Sequence, residues 1–250
     1  MWGIVPAAGS GTRIQPLAFS KELLPVGSRL DGEMERPRAV SEYLLERMTL
    51  AGAKQICFVI GPGKSDILEY FGGEFESARL CYTVQRAAAG LCDAIFQALP
   101  FISRTEPVLI GLPDTIWFPE SGFCSLPDDQ LSFLLFPVEK PEYFDAVVTG
   151  ENGRVVEIRV KQAPVVTKWV WGAIKMPGST LHDLFGLWSK PGRRDEYIGT
   201  LVNEYLAQGG TAVGVEAGVS YADVGTLHGY REALRVLHAR SKGKGVGSGE

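Results

Sequence analysis

Histidine is scarce in this chain. His182, His228 and His238 are scattered through 250 positions and form no H-E-x-x-H or similar ligand pattern, so they read as surface or helix histidines rather than a metal centre. Cysteine is almost as rare. Cys57, Cys81, Cys92 and Cys124 show no C-x-x-C spacing, and a chain of this size needs no disulfide to fold, so they read as buried, inert thiols. No stretch reaches the roughly 18 apolar residues of a membrane span. The opening "MWGIVPAAGSGTR" also lacks the charged start and long apolar run of an export signal, so a cytoplasmic protein with no membrane partner is expected. Positive charge is not in excess either. Against 29 Asp and Glu stand 25 Lys and Arg, a formal charge of -4, which argues against a general nucleic-acid binder. Missing too are any convincing Ser-His-Asp, Cys-His or paired-carboxylate constellation and any D-x-D metal motif.

What is present is an alternation. "WGIVPAA" (2–8), "QICFVIG" (55–61), "LCYTVQ" (80–85) and "PVLIGLPD" (107–114) are short, rich in Val, Ile and aromatics, and stopped by Gly or Pro, as buried strands are. Between them lie segments of helical period. In "AVSEYLLERMTLAG", Val40, Leu44, Leu45 and Met48 share a face and Gly52 marks the stop; "DILEYFGG" and "GLCDAIFQAL" follow the next two strands. This order predicts an α/β protein: a Rossmann-like three-layer sandwich with a mostly parallel, mixed central sheet and functional loops at the carboxyl ends of its strands. Residues 131–138, 144–150, 154–160 and 168–176 are strands with few helices between them, and "ENG" (151–153) suits a hairpin turn, so the second half predicts a smaller, more antiparallel lobe. Helices are expected again near 179–188, 196–208 and 226–240, with a strand near 211–217. One domain over 1–240 is expected, with halves 1–130 and 131–240. The Gly-rich end, 241–250, predicts a disordered tail.

The most informative stretch is "AAGSGTRIQPLAFSKELLPVG", residues 7–27. It follows the first strand, where a Gly-rich loop presents backbone N–H groups to phosphate. The dinucleotide fingerprint fails, because Ile14 stands where a third small residue is needed, and the Walker loop fails because its G-K-S/T is absent. Instead Arg13 follows the glycines at once and Lys21 opens "KELLPV", so two permanent cations flank the N–H groups of Ala8, Gly9, Ser10, Gly11 and Thr12. This suits a triphosphate. Arginine holds an oxygen pair as a fork, whereas lysine follows moving charge as a point donor. Asp114 ends a strand, where an acid has no structural reason to stand unless it points into the site. Gln85 leaves another strand. Its amide presents a donor and an acceptor side by side, matching uracil or thymine, with the backbone near Gly90 as support. Ala87, Ala88 and Ala89 leave room for a base or merely make a tight turn.

"GSGTRIQPL" (9–17) and "SKELLPV" (20–26) resemble the sugar-1-phosphate nucleotidyltransferases, of the glucose-1-phosphate thymidylyl- and uridylyltransferase type. The likeness continues through "VQRAAAGLCDAI" (84–95), "LIGLPDTIW" (109–117), "VKQAP" (160–164), "WGAIKM" (171–176) and "YADVGT" (221–226), in the family's order and spacing. It implies a nucleotidyltransferase fold of the GT-A-like kind. The implied reaction moves a nucleoside monophosphate from a nucleoside triphosphate, dTTP or UTP favoured, to a sugar-1-phosphate and releases pyrophosphate. It implies Mg²⁺ held by Asp114 and Asp223, catalytic roles for Arg13, Lys21 and Asp114, and a sugar-phosphate grip by Lys161. Homo-oligomer formation is left open. Three departures are visible. Ser20 stands where the family usually has proline, and Pro113 stands where a glycine usually precedes the acid. Val160 stands where a glutamate usually bonds sugar hydroxyls, so the expected sugar is deoxygenated or unusual there, or is held by another group. Gly172 in "WVWGAI" fits either a close backbone approach to the sugar or a strand bulge. Alternatives are cytidylyl or uridylyl transfer to a non-sugar phosphate such as phosphocholine, and a non-catalytic regulator that binds nucleotide-sugar.

Overall fold

Apolar runs without alternation belong in the middle of a sheet covered on both faces, and that is where the first of them lies. The computed structural model describes residues 1–163 and 166–244. Strand β1 (Trp2–Ala7) leads through the Gly-rich loop into a hairpin, β2 (Pro25–Asp31) and β3 (Met34–Ala39), then helix α1 (Val40–Leu50). There follow β4 (Gln55–Ile60), α2 (Ser65–Phe71), β5 (Glu74–Phe75), β6 (Ala78–Val84), α3 (Gly90–Gln97), β7 (Pro107–Gly111) and β8 (Thr115–Phe118). The second half contributes β9 (Leu131–Pro137), β10 (Asp145–Thr149), β11 (Val155–Val160), β12 (Trp169–Pro177), α4 (Gly178–Trp188), α5 (Ile198–Ala207), β13 (Ala212–Val215), β14 (Ser220–Asp223) and α6 (Leu227–Lys244).

β1 is paired in parallel with β4 on one side and β7 on the other, and β4 in turn with β6. Successive side chains of a strand face opposite ways, and the core divides accordingly. Ile4, Cys57, Val59 and Ile110 pack with residues of α3, α4 and α5, while Val5, Phe58 and Leu109 pack with Leu44, Leu45 and Met48 of α1 and Ile67 of α2. The result is the expected helix, sheet, helix sandwich. β1, β4 and β7 carry their loops on one edge, and the Gly-rich loop leaves the middle of it.

The antiparallel strands of the second half are present, but they do not form a sheet of their own. β12 runs antiparallel to β7, so β9 to β13 extend the same ten-stranded sheet. The separate antiparallel pairs are small: β2 with β3, and β14 with β8. α6 continues to Lys244, past the boundary expected at 240, and 245–250 lie outside the described residues. No helix among the described residues is long and apolar enough to cross a membrane. Of the cysteines, Cys57 and Cys92 are buried as expected. Cys81 is half-buried and Cys124 is exposed, because it sits in the surface turn Gly122–Ser125 rather than in a strand.

Candidate active site

The loop after β1 is held from below by buried charge. Lys64 donates to the Ala7 carbonyl at 2.7 Å and to both oxygens of Glu22 at 2.8 and 2.9 Å, and Glu22 is fully buried. Burial pushes the Glu22 carboxyl up, and the Lys64 ammonium pulls it back. Ser20 explains its own departure from the resemblance. Its N–H and Oγ donate to the two oxygens of Asp66 at 2.6 and 2.7 Å, and proline has no N–H to give. This residue therefore ties the loop to the start of α2.

Two features of the loop point upward from that base. The N–H groups of Gly9, Ser10, Gly11 and Thr12 donate to no acceptor among the described residues, which leaves them available to an anion. Gly11 has φ +64°, and a Cβ there would stand 2.8 Å from Lys21 Cδ. The glycine lets the lysine stem pass beneath the loop. Lys21 Nζ then meets Asp114 Oδ2 in an ion pair whose side chains are both nearly buried.

Asp223 reaches the same place through a short strand pair. β14 pairs with β8 so that Asp223 lies opposite Thr115, the residue after Asp114, and the Val224 N–H donates to the Asp114 carbonyl at 2.8 Å. Arg13 Nη2 lies 3.3 Å from Asp223 Oδ2, its side chain 62% exposed, and the Gly225 N–H donates to Asp223 Oδ1 at 2.8 Å. A Cβ on Gly225 would lie 2.8 Å from Asp223 Oδ1, 3.0 Å from Arg13 Nη2 and 3.1 Å from Asp114 Oδ2. Two carboxylates and the Arg13 guanidinium thus surround one glycine, and Lys21 reaches the group through Asp114. Burial and the Asp114 charge beside it push the Asp223 carboxyl up, against the pull of Arg13, the Gly225 N–H and Lys21. Burial works against the charge on Lys21, yet Asp114, Glu22 and Asp223 outweigh it and its pKa is raised.

The donor set fits Mg²⁺ in one respect. No cluster of three or more His, Cys, Asp or Glu occurs among the described residues, so the protein offers two carboxylates and no closed cage. Mg²⁺ bound through one or two carboxylates, with phosphate oxygens and waters in its other positions, has that requirement. Asp114 and Asp223 with the space at Gly225 would hold it.

The other expected residues are placed differently from this group. Gln85 is buried, and its Nε2 donates both hydrogens internally, to the Gly90 carbonyl at 3.1 Å and to Asp93 Oδ2 at 2.7 Å. The expected side-by-side donor and acceptor is therefore reduced to the acceptor, the amide oxygen. Gly90 has φ +91° and stands against Glu196, whose carbonyl takes the Leu91 and Cys92 N–H groups at the start of α3. Lys161 does not join the carboxylates; it is exposed, with Nζ 4.5 Å from the centre of the Tyr197 ring. Gly172 lies at a register shift of β12 against β9, and a Cβ there would be 2.7 Å from both the Phe136 and Tyr221 rings, so strand packing accounts for this glycine. Val160 packs on α5. Residues that the sequence reading passed over are Glu22, Lys64 and Asp66 beneath the loop, and Gly225 between the carboxylates. Gly225 lies inside "YADVGT" and was within reach; Lys64, in an ordinary-looking "GPGK" turn, gave no signal.

Comparison with known proteins bears on the family and the fold. The nucleotidyl transferase family model matches residues 2–240. The glucose-1-phosphate thymidylyltransferase of Neisseria gonorrhoeae is 29% identical over 248 residues, covering 93% of this chain and 81% of that protein. A Bacillus anthracis protein solved in complex with sucrose superposes with a TM-score of 0.80 at 21% identity, over 94% of this chain and 95% of that one. A UDP-glucose pyrophosphorylase solved with UDP-glucose gives a TM-score of 0.77 at 19% identity, over 96% and 98%. At those identities the two structures speak for the fold.

Proposed function

Because the chain belongs to the nucleotidyl transferase family, we propose that it transfers a nucleoside monophosphate from dTTP or UTP to a sugar-1-phosphate, forming a nucleotide-sugar and pyrophosphate. The observation that carries this reading is the meeting of Lys21, Asp114, Arg13 and Asp223 at the mouth of a loop with free N–H groups. A phosphate oxygen of the acceptor attacks the α-phosphorus. A new P–O bond forms, the bond from the α-phosphorus to its bridging oxygen breaks, and that electron pair leaves on pyrophosphate. The acceptor phosphate, with a second pKa of about 6, is already anionic at neutral pH and needs no general base. That accords with a group of two cations and two carboxylates that contains no histidine.

The residues divide the work by position. Lys21 and Arg13 neutralise charge that crowds onto the phosphate oxygens as the bond changes, and the loop N–H groups hold the triphosphate in line. When bound between Asp114 and Asp223, Mg²⁺ supplies further neutralisation at the phosphate oxygens. The Gln85 carbonyl accepts the N3–H of uracil or thymine. Lys161 leaves the Tyr197 ring for the acceptor phosphate. On this reading residues 1–130 form the nucleotide half and 131–240 the acceptor half of one domain.

The experiment is a pyrophosphate-release assay of each nucleoside triphosphate against a panel of sugar-1-phosphates and phosphocholine, with and without Mg²⁺. Release is expected with a uridine or thymidine nucleotide and a sugar-1-phosphate. No release with any pair overturns the reading. Gly225→Ala places a methyl at the point where three charged groups meet. It is expected to lower turnover about 10- to 100-fold while the unfolding midpoint moves little, which steady-state rates and thermal melts on the same samples would check.

A further inference from the structure

Asp145 opens β10 directly opposite Val160 of β11, and opposed residues of an antiparallel pair point their side chains to the same face. On that face Val160 is committed to packing. A Cβ on Gly199 of α5 would lie 2.7 Å from both Val160 Cγ2 and Ile158 Cγ2, so helix and strand are already in close contact there. Asp145 stands at the open end of the same row. Its carboxylate is half-buried, takes one long hydrogen bond, from Trp171 Nε1 at 3.4 Å, and has no ion pair within 4 Å among the described residues. Burial pushes its pKa up, with the Trp171 N–H and the Lys161 charge pulling back.

The neighbours of this carboxylate place it at the rim between the two halves. Lys161 follows the strand that Asp145 faces, and the Asp145 charge acts, after burial and Asp195, on Cys92 in the first turn of α3. That helix begins at Gly90, beside Gln85. A carboxylate has about four acceptor sites and no donor, and one long bond from an indole uses little of that capacity. Half-buried charge held with so few partners is expensive to keep unless a ligand completes it.

We propose that Asp145 is a specificity-determining residue that accepts a hydrogen bond from a hydroxyl of the sugar-1-phosphate. The inference rests on the sugar-1-phosphate reading above and deepens it. The hydroxyl acceptor missing at Val160 is supplied from across the strand pair, so a fully hydroxylated sugar is held rather than a deoxygenated one.

The test is a cycle of variants against substrates. Wild type, Asp145→Ala and Asp145→Asn are each assayed with glucose-1-phosphate and with its monodeoxy analogues. Loss of a hydrogen bond to a charged group predicts a fall in kcat/KM for glucose-1-phosphate of about 10- to 100-fold in Asp145→Ala. The fall is carried mainly by the sugar KM, with the nucleotide KM unchanged. With the one analogue that lacks the contacted hydroxyl, variant and wild type become equal. A loss equal for every acceptor, or one carried by the nucleotide KM, overturns the proposal, since a merely structural role gives that pattern. If Asp145→Ala does not fold, Asp145→Asn, which keeps an oxygen for Trp171, carries the same comparison. If wild type releases no pyrophosphate with any pair, the proposed function falls instead. Calorimetric binding of UDP-glucose and its monodeoxy counterparts to wild type and variant then reads the contact, and equal affinities throughout refute it.

Discussion

Lys21→Ala is expected to lower turnover by about 10²- to 10³-fold, the range seen when one donor is removed from a preorganised charge-stabilising site. The lysine passes beneath the loop at Gly11, meets Asp114, and carries a proton held more firmly than usual by the acids around it. It is therefore charged through the whole range in which the enzyme would work. Its removal also leaves Asp114 beside Asp223 with the exposed Arg13 as the remaining cation of the group, so part of the loss could come from a weakened fold. Lys21→Arg separates the two effects. It keeps the charge and so the stability, but a planar fork cannot follow the path of a point donor through so narrow a passage. We expect its melting temperature near wild type and its rate close to that of Lys21→Ala. A Lys21→Arg enzyme with near-wild-type kcat would remove Lys21 from the reaction.

The parallel centre of the fold was legible because β1, β4 and β7 are buried apolar runs bounded by Gly, Pro or a polar turn. β6, expected to be buried as well, is only partly so because it lies near the sheet's edge beside the two-residue β5. Once these strands are placed, a loop after β1 and an acid after β7 must share an edge. Asp223 was harder to place. Nothing in "SYAD" or "TIWF" says that these four-residue strands pair, yet that pairing sets Asp223 beside Asp114. The β2–β3 hairpin was missed for a different reason. "PVGSRLD" and "MERPRA" are polar, exposed and contain proline, so neither shows the alternation of a strand, although Asp31-Gly32 is a recognised hairpin signal. Gln85 shows the limit of arguing from one side chain. Its amide suits a pyrimidine on paper, but Asp93 comes round on α3 and takes its donor. The merging of the second half into one sheet depends on which edge of β12 meets β7, and local pattern carries no information about edges.

Asp223→Asn is expected to make the metal-free protein more stable at neutral pH while lowering turnover by about 10²-fold or more, the scale of losing a charge-stabilising group at a reacting phosphate. The sign follows from the pKa. Burial and the neighbouring Asp114 raise the Asp223 carboxyl above its ordinary value in the folded state, and Arg13, the Gly225 N–H and Lys21 only partly reverse this. Between the ordinary carboxylate range and the raised value, the folded state binds more protons than the unfolded one, so stability falls as pH rises through that interval. At neutral pH the charge on Asp223 opposes folding. The asparagine removes it and keeps an oxygen for the Gly225 N–H. Melts in EDTA should therefore place Asp223→Asn above wild type at neutral pH, with the gap closing at acid pH as Asp223 is protonated in both states. Added Mg²⁺ should reverse the order, since a ligand that binds the folded form stabilises wild type by mass action and finds one carboxylate fewer in the variant. On the proposed reading, the two carboxylates that repel each other here are the pair that would hold the cation. A variant less stable than wild type in EDTA, yet equally stabilised by Mg²⁺, would mean that Asp223 serves the fold through Arg13 and not the phosphates.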